Sequence, residues 1–197
     1  MLKEAAEEII SRIGTLDAPI FFKNNYAVAF EIGDSKMEIY DENMIAKDEY
    51  IDKALFRTSE ICSYFNFDIL LIRFVYSEKD IQIIQNTIGN EAEETFSEVI
   101  TNEDNENYKR VSLYWSAKNI NLDRLYREII KSDIGGYSIF SSSVFLLDSK
   151  KGCVCHLYDD RGIDIIASSK EIIYPIYKQY ENWLIDRKKT DELFTED

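Results

Sequence analysis

The side chains best equipped for chemistry in this 197-residue chain are His156, Asp159, Asp160, Arg161 and Asp164, crowded into one short stretch. Adjacent carboxylates are the oxygen ligands that divalent cations prefer, and an imidazole is the usual general base near neutral pH. In that chemistry Asp159 and Asp160 share a magnesium-type ion, His156 moves the proton, and the protein is a metal-dependent phosphoesterase. Arg161 offers another chemistry, the recognition of a small anionic ligand by its guanidinium. The same residues also build a turn. Asp favours the first turn position, Gly162 supplies a conformation other residues resist, and Asp160 can pair with Arg161 across the loop. His156 then faces inward beside Val154 and Tyr158. Turn chemistry is preferred here, because one histidine cannot make a His-rich hydrolytic site.

Other motifs carry less. Ser141-Ser142-Ser143 lies close after Gly135-Gly136, but no lysine follows at phosphate-loop spacing and the glycines end a helical pattern instead of opening one. There is no Gly-x-Ser-x-Gly elbow, Cys-x-x-Cys pair or His-Glu-x-x-His motif. Three cysteines, Cys62, Cys153 and Cys155, with one histidine in the chain, argue against a disulfide framework or a structural zinc site. Cys153 and Cys155 share one face of a strand, with Val154 and His156 on the other. No metal or other cofactor is expected, and no catalytic residue is assigned.

The elements that must position these residues are legible from periodicity. Leu2, Ala5, Ala6, Ile9, Ile10 and Ile13 predict an amphipathic opening helix stopped by Gly14. Extended segments are expected over 20–22 and 26–32, with a return strand over 36–40 after the turn at Gly33-Asp34. A helix follows from Asp48, and Ile69 to Tyr76 reads as a strand buried on both faces. Residues 80–88 fit strand or helix. Phe96, Val99 and Ile100 suggest a helical turn, and Asn102 to Asn107 an exposed linker. Then come a strand over 109–115 and a helix capped by Asn121. Strands over 143–147, 153–158 and 163–167 lead into a helix opened by Ser168 and Glu171, with Pro175 inside its apolar stripe. The whole predicts one α+β protein with an antiparallel sheet, a C-terminal β-β-β-α unit and flanking helices. Residues 1–107 are expected as an acidic N-terminal α/β part and 108–197 as a C-terminal α-β-β-β-α part, together one continuous compact domain.

Charge separates those two parts. The chain has 37 acidic and 23 basic side chains, a formal net charge of -14. Residues 1–50 contribute -6, residues 51–107 contribute -8, and residues 108–197 balance. Such acidity argues against a nucleic-acid backbone or an anionic membrane as partner. The first residues lack the apolar core of a secretion signal and no run is long enough to span a bilayer, so a cytoplasmic protein is expected. Glu91, Glu93, Glu94, Glu98, Glu103, Asp104 and Glu106, in a stretch without a positive residue, are the expected seat of a basic partner protein, together with acids of 31–49.

Four stretches carry a family likeness: Tyr26 to Gly33, Leu125 to Ile130, His156-Leu157-Tyr158-Asp159-Asp160-Arg161-Gly162-Ile163-Asp164 through Ala167, and Tyr180 to Leu184. Together they resemble the Firmicutes family catalogued as domain of unknown function 3885, most closely over 124–185 and least over 77–110. Some members look like cytoplasmic immunity proteins encoded beside secreted toxins with an N-terminal LXG domain, several of them nucleases. The resemblance implies a non-enzymatic antitoxin that binds and neutralises a cognate toxin domain through an acidic face. Metal-dependent phosphoesterase and anionic-ligand module at Asp159-Asp160-Arg161 are the alternatives.

Overall fold

Ile69 to Ile72 lie in the interior of a seven-stranded antiparallel sheet, and all four side chains are buried. In the computed structural model, which describes residues 1–17, 19–101, 105–135 and 144–195, this strand is β2 (Ile69–Val75). The others are β1 (Ala27–Glu31), β3 (Glu94–Thr101), β4 (Asn107–Ser116), β5 (Val144–Asp148), β6 (Cys153–Leu157) and β7 (Gly162–Ala167). Their order across the sheet is β1-β7-β6-β5-β2-β4-β3. Strands from before and after residue 107 are therefore hydrogen-bonded into one sheet.

Helices cover both faces, which is why central strands are apolar on both sides. On one face α3 (Asp48–Cys62), α4 (Glu78–Ile88), α5 (Leu122–Ile134) and α6 (Lys170–Gln179) bury Ile51, Ile84, Ile129 and Ile176 against Val28, Phe30, Leu70, Ile72, Cys155 and Ile165. On the other, α1 (Leu2–Ile13) and α2 (Ile20–Lys23) pack Ala6, Ile9 and Phe21 onto Ala29, Leu71, Phe145 and Val154. Cys153 and Cys155 fall on the first face and Val154 on the second, as strand alternation requires. The Cys62 and Cys155 sulfurs lie 3.9 Å apart as buried free thiols.

The opening helix, its stop at Gly14 (φ 120°), the Asn121 cap and the β5-β6-β7-α6 unit follow the sequence pattern. Asn121 accepts a hydrogen bond from the Arg124 N–H at 3.0 Å. Residues 80–88 resolve as helix α4, which carries a Ser77 cap and a left-handed Gly89.

Several expectations are corrected. Residues 20–22 are helical, because Ile20 and Phe21 turn their apolar side chains onto the sheet instead of extending beside it. No strand forms over 36–40; one isolated bridge joins Tyr40 to Ala46. Phe96, Val99 and Ile100 belong to β3, where pairing with β4 overrides their helical spacing. The cap of α6 is Ser169 instead of Ser168, and the helix runs through Pro175 but ends at Gln179. A 3-10 turn (Glu181–Trp183) and α7 (Arg187–Thr195) carry the chain on.

The two sheet edges differ. β1 is covered by Leu184 and Ile185, whose N–H donates to the Ala29 carbonyl at 2.9 Å. At the far edge β3 pairs with β4 alone among the described residues.

Candidate functional site

The stretch from His156 to Asp164 spans the end of β6, a tight turn and the start of β7, and the fold divides its side chains between the faces of the sheet. Asp159 stays within the turn. One carboxylate oxygen accepts from the Arg161 N–H at 2.8 Å, and the other accepts from the Arg161 guanidinium, 2.9 Å to Nε. The partner of Arg161 is thus Asp159, not Asp160, because an Asx-type turn brings residue i back over i+2. Asp160 points to the α3 face, where the Tyr50 hydroxyl donates to its carboxylate at 2.6 Å. Burial raises the Asp160 carboxyl above its ordinary value, although the Tyr50 bond opposes that shift. A side chain at Gly33 would strike the Tyr50 hydroxyl and the Asp160 carbonyl, so glycine is what allows this approach. The Ile32 N–H donates to the Arg161 carbonyl at 3.0 Å, which pins the turn to the end of β1.

Asp164 and His156 go the other way. They are directly opposed across β7 and β6, and Ala29 of β1 is opposed to Asp164, so the three form one row under α2. His156 stacks on Phe145, ring centroids 4.8 Å apart, and lies 5.6 Å from the Tyr158 ring. The Tyr158 hydroxyl lies over Gly162, where any side chain would collide with it. Ala29, His156, Tyr158 and Asp164 line a cavity of about 240 Å³ completed by Pro19, Phe21, Phe22 and Ile185. Asp164 is only 7% exposed, and burial pushes its carboxyl up to about 7. The Phe21 N–H and the Lys189 ammonium oppose that rise without cancelling it. A cleft containing so displaced a carboxyl is a physically motivated binding site.

The three aspartates consequently have separate surroundings. Among the described residues no group of three or more His, Cys, Asp or Glu side chains is placed to hold a metal ion. A second, larger hollow of about 520 Å³ lies along Glu31, Gly33, Ser35, Tyr50 and Arg161, but Arg161 enters it already paired with Asp159.

The acidic stretch is mainly the β3 edge. Glu94 accepts from the Leu2 and Lys3 N–H groups at 2.7 and 3.2 Å, capping α1 from across the sheet. Glu93 accepts from the Ser116 N–H at 2.9 Å, and Glu98 receives the Arg110 guanidinium at 2.8 Å. Glu91 and Glu106 are exposed; Glu103 and Asp104 lie outside the described residues, as do Gly136 and Ser141 to Ser143.

The acids of 34–49 are organised differently. Asp41 accepts from the Asn43 and Ile45 N–H groups at 2.8 and 2.9 Å, folding a tight loop that Lys47 closes by donating its N–H to Ile39. At its tip Met44 has φ 61°, a left-handed conformation uncommon for a side chain of that size. Met44 is 74% exposed and Ile45 63%, beside exposed Glu42, Asp48 and Glu49. Sequence periodicity could not find Tyr50, Phe22 or Lys189, since each acts through a contact distant in sequence, and the local bonds that shape the Met44 loop leave no periodic signal.

Comparison with known proteins adds family but not activity. The model described as "Domain of unknown function (DUF3885)" matches residues 3–188. A similar curated relative is "Uncharacterized protein YnaE" of Bacillus subtilis (strain 168), 38% identical over 58 residues. That match covers 29% of this chain and 27% of the relative, so the chain spans about a quarter of that protein's length. No solved structure matches.

Proposed function

We propose, from the premise that this chain belongs to the DUF3885 family, that it is a binding protein for a basic protein partner. In its specific form the reading is a cytoplasmic immunity protein that catalyses nothing and neutralises a cognate toxin domain. The observation that carries it is the loop from Ile39 to Lys47, which exposes Met44 and Ile45 among Glu42, Asp48 and Glu49. Exposed apolar side chains inside a field of one sign combine an interface centre with long-range steering. The concentration of all net negative charge in residues 1–107 supports the same choice of a cationic partner. Of the acids expected to seat it, Glu93, Glu94 and Glu98 already serve this chain's own fold, so the 34–49 loop is the stronger contact.

The test is co-expression with the toxin encoded in the adjacent gene, followed by affinity measurement between the purified pair. Protection of the cells and nanomolar binding that weakens with salt are expected. Cell death despite abundant soluble protein overturns the immunity reading. Replacing Glu42, Asp48 and Glu49 together by Lys should slow association, more at low than at high salt.

A further inference from the structure

The hollow under α2 is built unlike a packing defect. Its floor is polar and buried, its walls are apolar, and its rim is aromatic and open. Asp164, Ala29 and His156 form the floor, with exposures of 7%, 3% and 4%. Ile20 and Phe21 form a wall, while Phe22 and Ile185 stand at the mouth, both more than half exposed. A dry cavity of this size elsewhere in a core would be lined by aliphatic groups alone. Here a carboxyl sits at the closed end.

We infer that this cavity is a binding site for a small organic cation, a primary ammonium on an apolar or aromatic body, with the head group on Asp164 and the body between Phe22 and Tyr158. A carboxylate out of water is satisfied by a cation that brings its own hydrogen-bond donors. The rings of the wall and the mouth already attract one. The Lys189 ammonium sits 4.0 Å from the Phe21 ring centre and 4.8 Å from that of Phe22, and donates to the Phe21 carbonyl. A second cation on the opposite side of Phe22 uses the same π-face attraction. The formal charge of -14 raises the local concentration of any cation and disfavours an anionic occupant. The site is separate from the Met44 loop and does not depend on the partner-binding proposal.

The groups that face Asp164 set its pH dependence. They are His156 and Tyr158 from the β6 end, and Lys189 from α7 with Asp186 behind it. With its carboxyl at about 7, Asp164 is largely protonated at pH 6, and cation binding must expel that proton. Affinity therefore falls about tenfold for each pH unit below 7.

The probe is phenethylamine, titrated calorimetrically into the full chain at pH 7.5 and pH 6 in two buffers of different ionisation heat. Saturable 1:1 binding, weaker at the lower pH and accompanied by proton release, is expected. Neutral 2-phenylethanol, the same size, should bind at least about tenfold more weakly, since a charge-assisted bond is lost. Asp164→Asn should lose a similar factor. Phe22→Ala, at a rim position 64% exposed, should lose about threefold. Absence of saturable heat with phenethylamine or n-butylamine up to about 10 mM overturns the inference. So does equal binding of the alcohol, or wild-type affinity in a folded Asp164→Asn.

Discussion

Three aspartates at the β6–β7 corner and three glutamates around the β3 edge are equally acidic in the sequence, yet the structure uses them in opposite ways. Asp159, Asp160 and Asp164 are each less than 8% exposed, and each faces a different partner. Glu93, Glu94 and Glu98 lie at the surface and hold backbone N–H groups or Arg110 that water could also satisfy. Low dielectric separates the two sets. A carboxylate at the corner is costly unless its surroundings are arranged for it, whereas one at the edge contributes field and a modest local bond. Exposed charge thus sets a long-range field, while buried charge depends on the groups that face it.

The largest test of that contrast is Asp164. Its folded carboxyl, at about 7, holds a proton that the unfolded chain releases near the ordinary 3.8. The folded state therefore binds more protons between those values, and stability falls as pH rises from about 4 to about 7 before levelling. Asp164→Asn should remove that loss, gaining about 2–4 kcal/mol at pH 8 and almost nothing at pH 4. Denaturant melts across that range measure it. A variant that gains nothing at pH 8 breaks the distinction between the regions.

Tyr50→Phe comes next. It leaves Asp160 buried without the phenol that donates to it, and should cost about 1–3 kcal/mol, with the loss greatest where Asp160 is ionised. At the edge the effects should shrink. Glu94→Ala uncaps α1 and is expected to cost about 1 kcal/mol, with early hydrogen exchange at Leu2 and Lys3 as its signature. Glu42→Lys, on the exposed loop, should move stability by less than about 0.5 kcal/mol in either direction. If Glu94→Ala proves costlier than Tyr50→Phe in chemical denaturation, burial is not what ranks these carboxylates.

Much of the scaffold could be read in advance where one face of an element is apolar and the other polar. The α1 stripe ending at Gly14 and the stripe of α5 behind its Asn121 cap are such cases. Where that alternation is missing, sequence pattern and structure part. β3 is an edge strand whose side chains mostly meet water, so Phe96, Val99 and Ile100 carried no period-2 signal. Ile20 to Lys23 is a single helical turn, too short for any period to register. For the site, alternation put His156 beside Val154, and Asp164 followed from strand pairing. Nothing local identified Tyr50 as the partner of Asp160, because 110 residues separate them.

By itself, the order of residues determined the α+β composition, the C-terminal β-β-β-α unit, the acidic bias of the first 107 positions and the burial of Ile69 to Ile72 on both faces of β2, but not the emergence of Val75 and Tyr76 at its end, 60% and 38% exposed. These rest on periodicity and charge, which are local or additive. Tertiary structure alone decided which carboxylates are buried, that three neighbours in sequence face different partners, and that Phe22, Asp164 and Lys189 meet around one cavity. Desolvation and pairing depend on what lies across space, and a chain shows its neighbours only along its length.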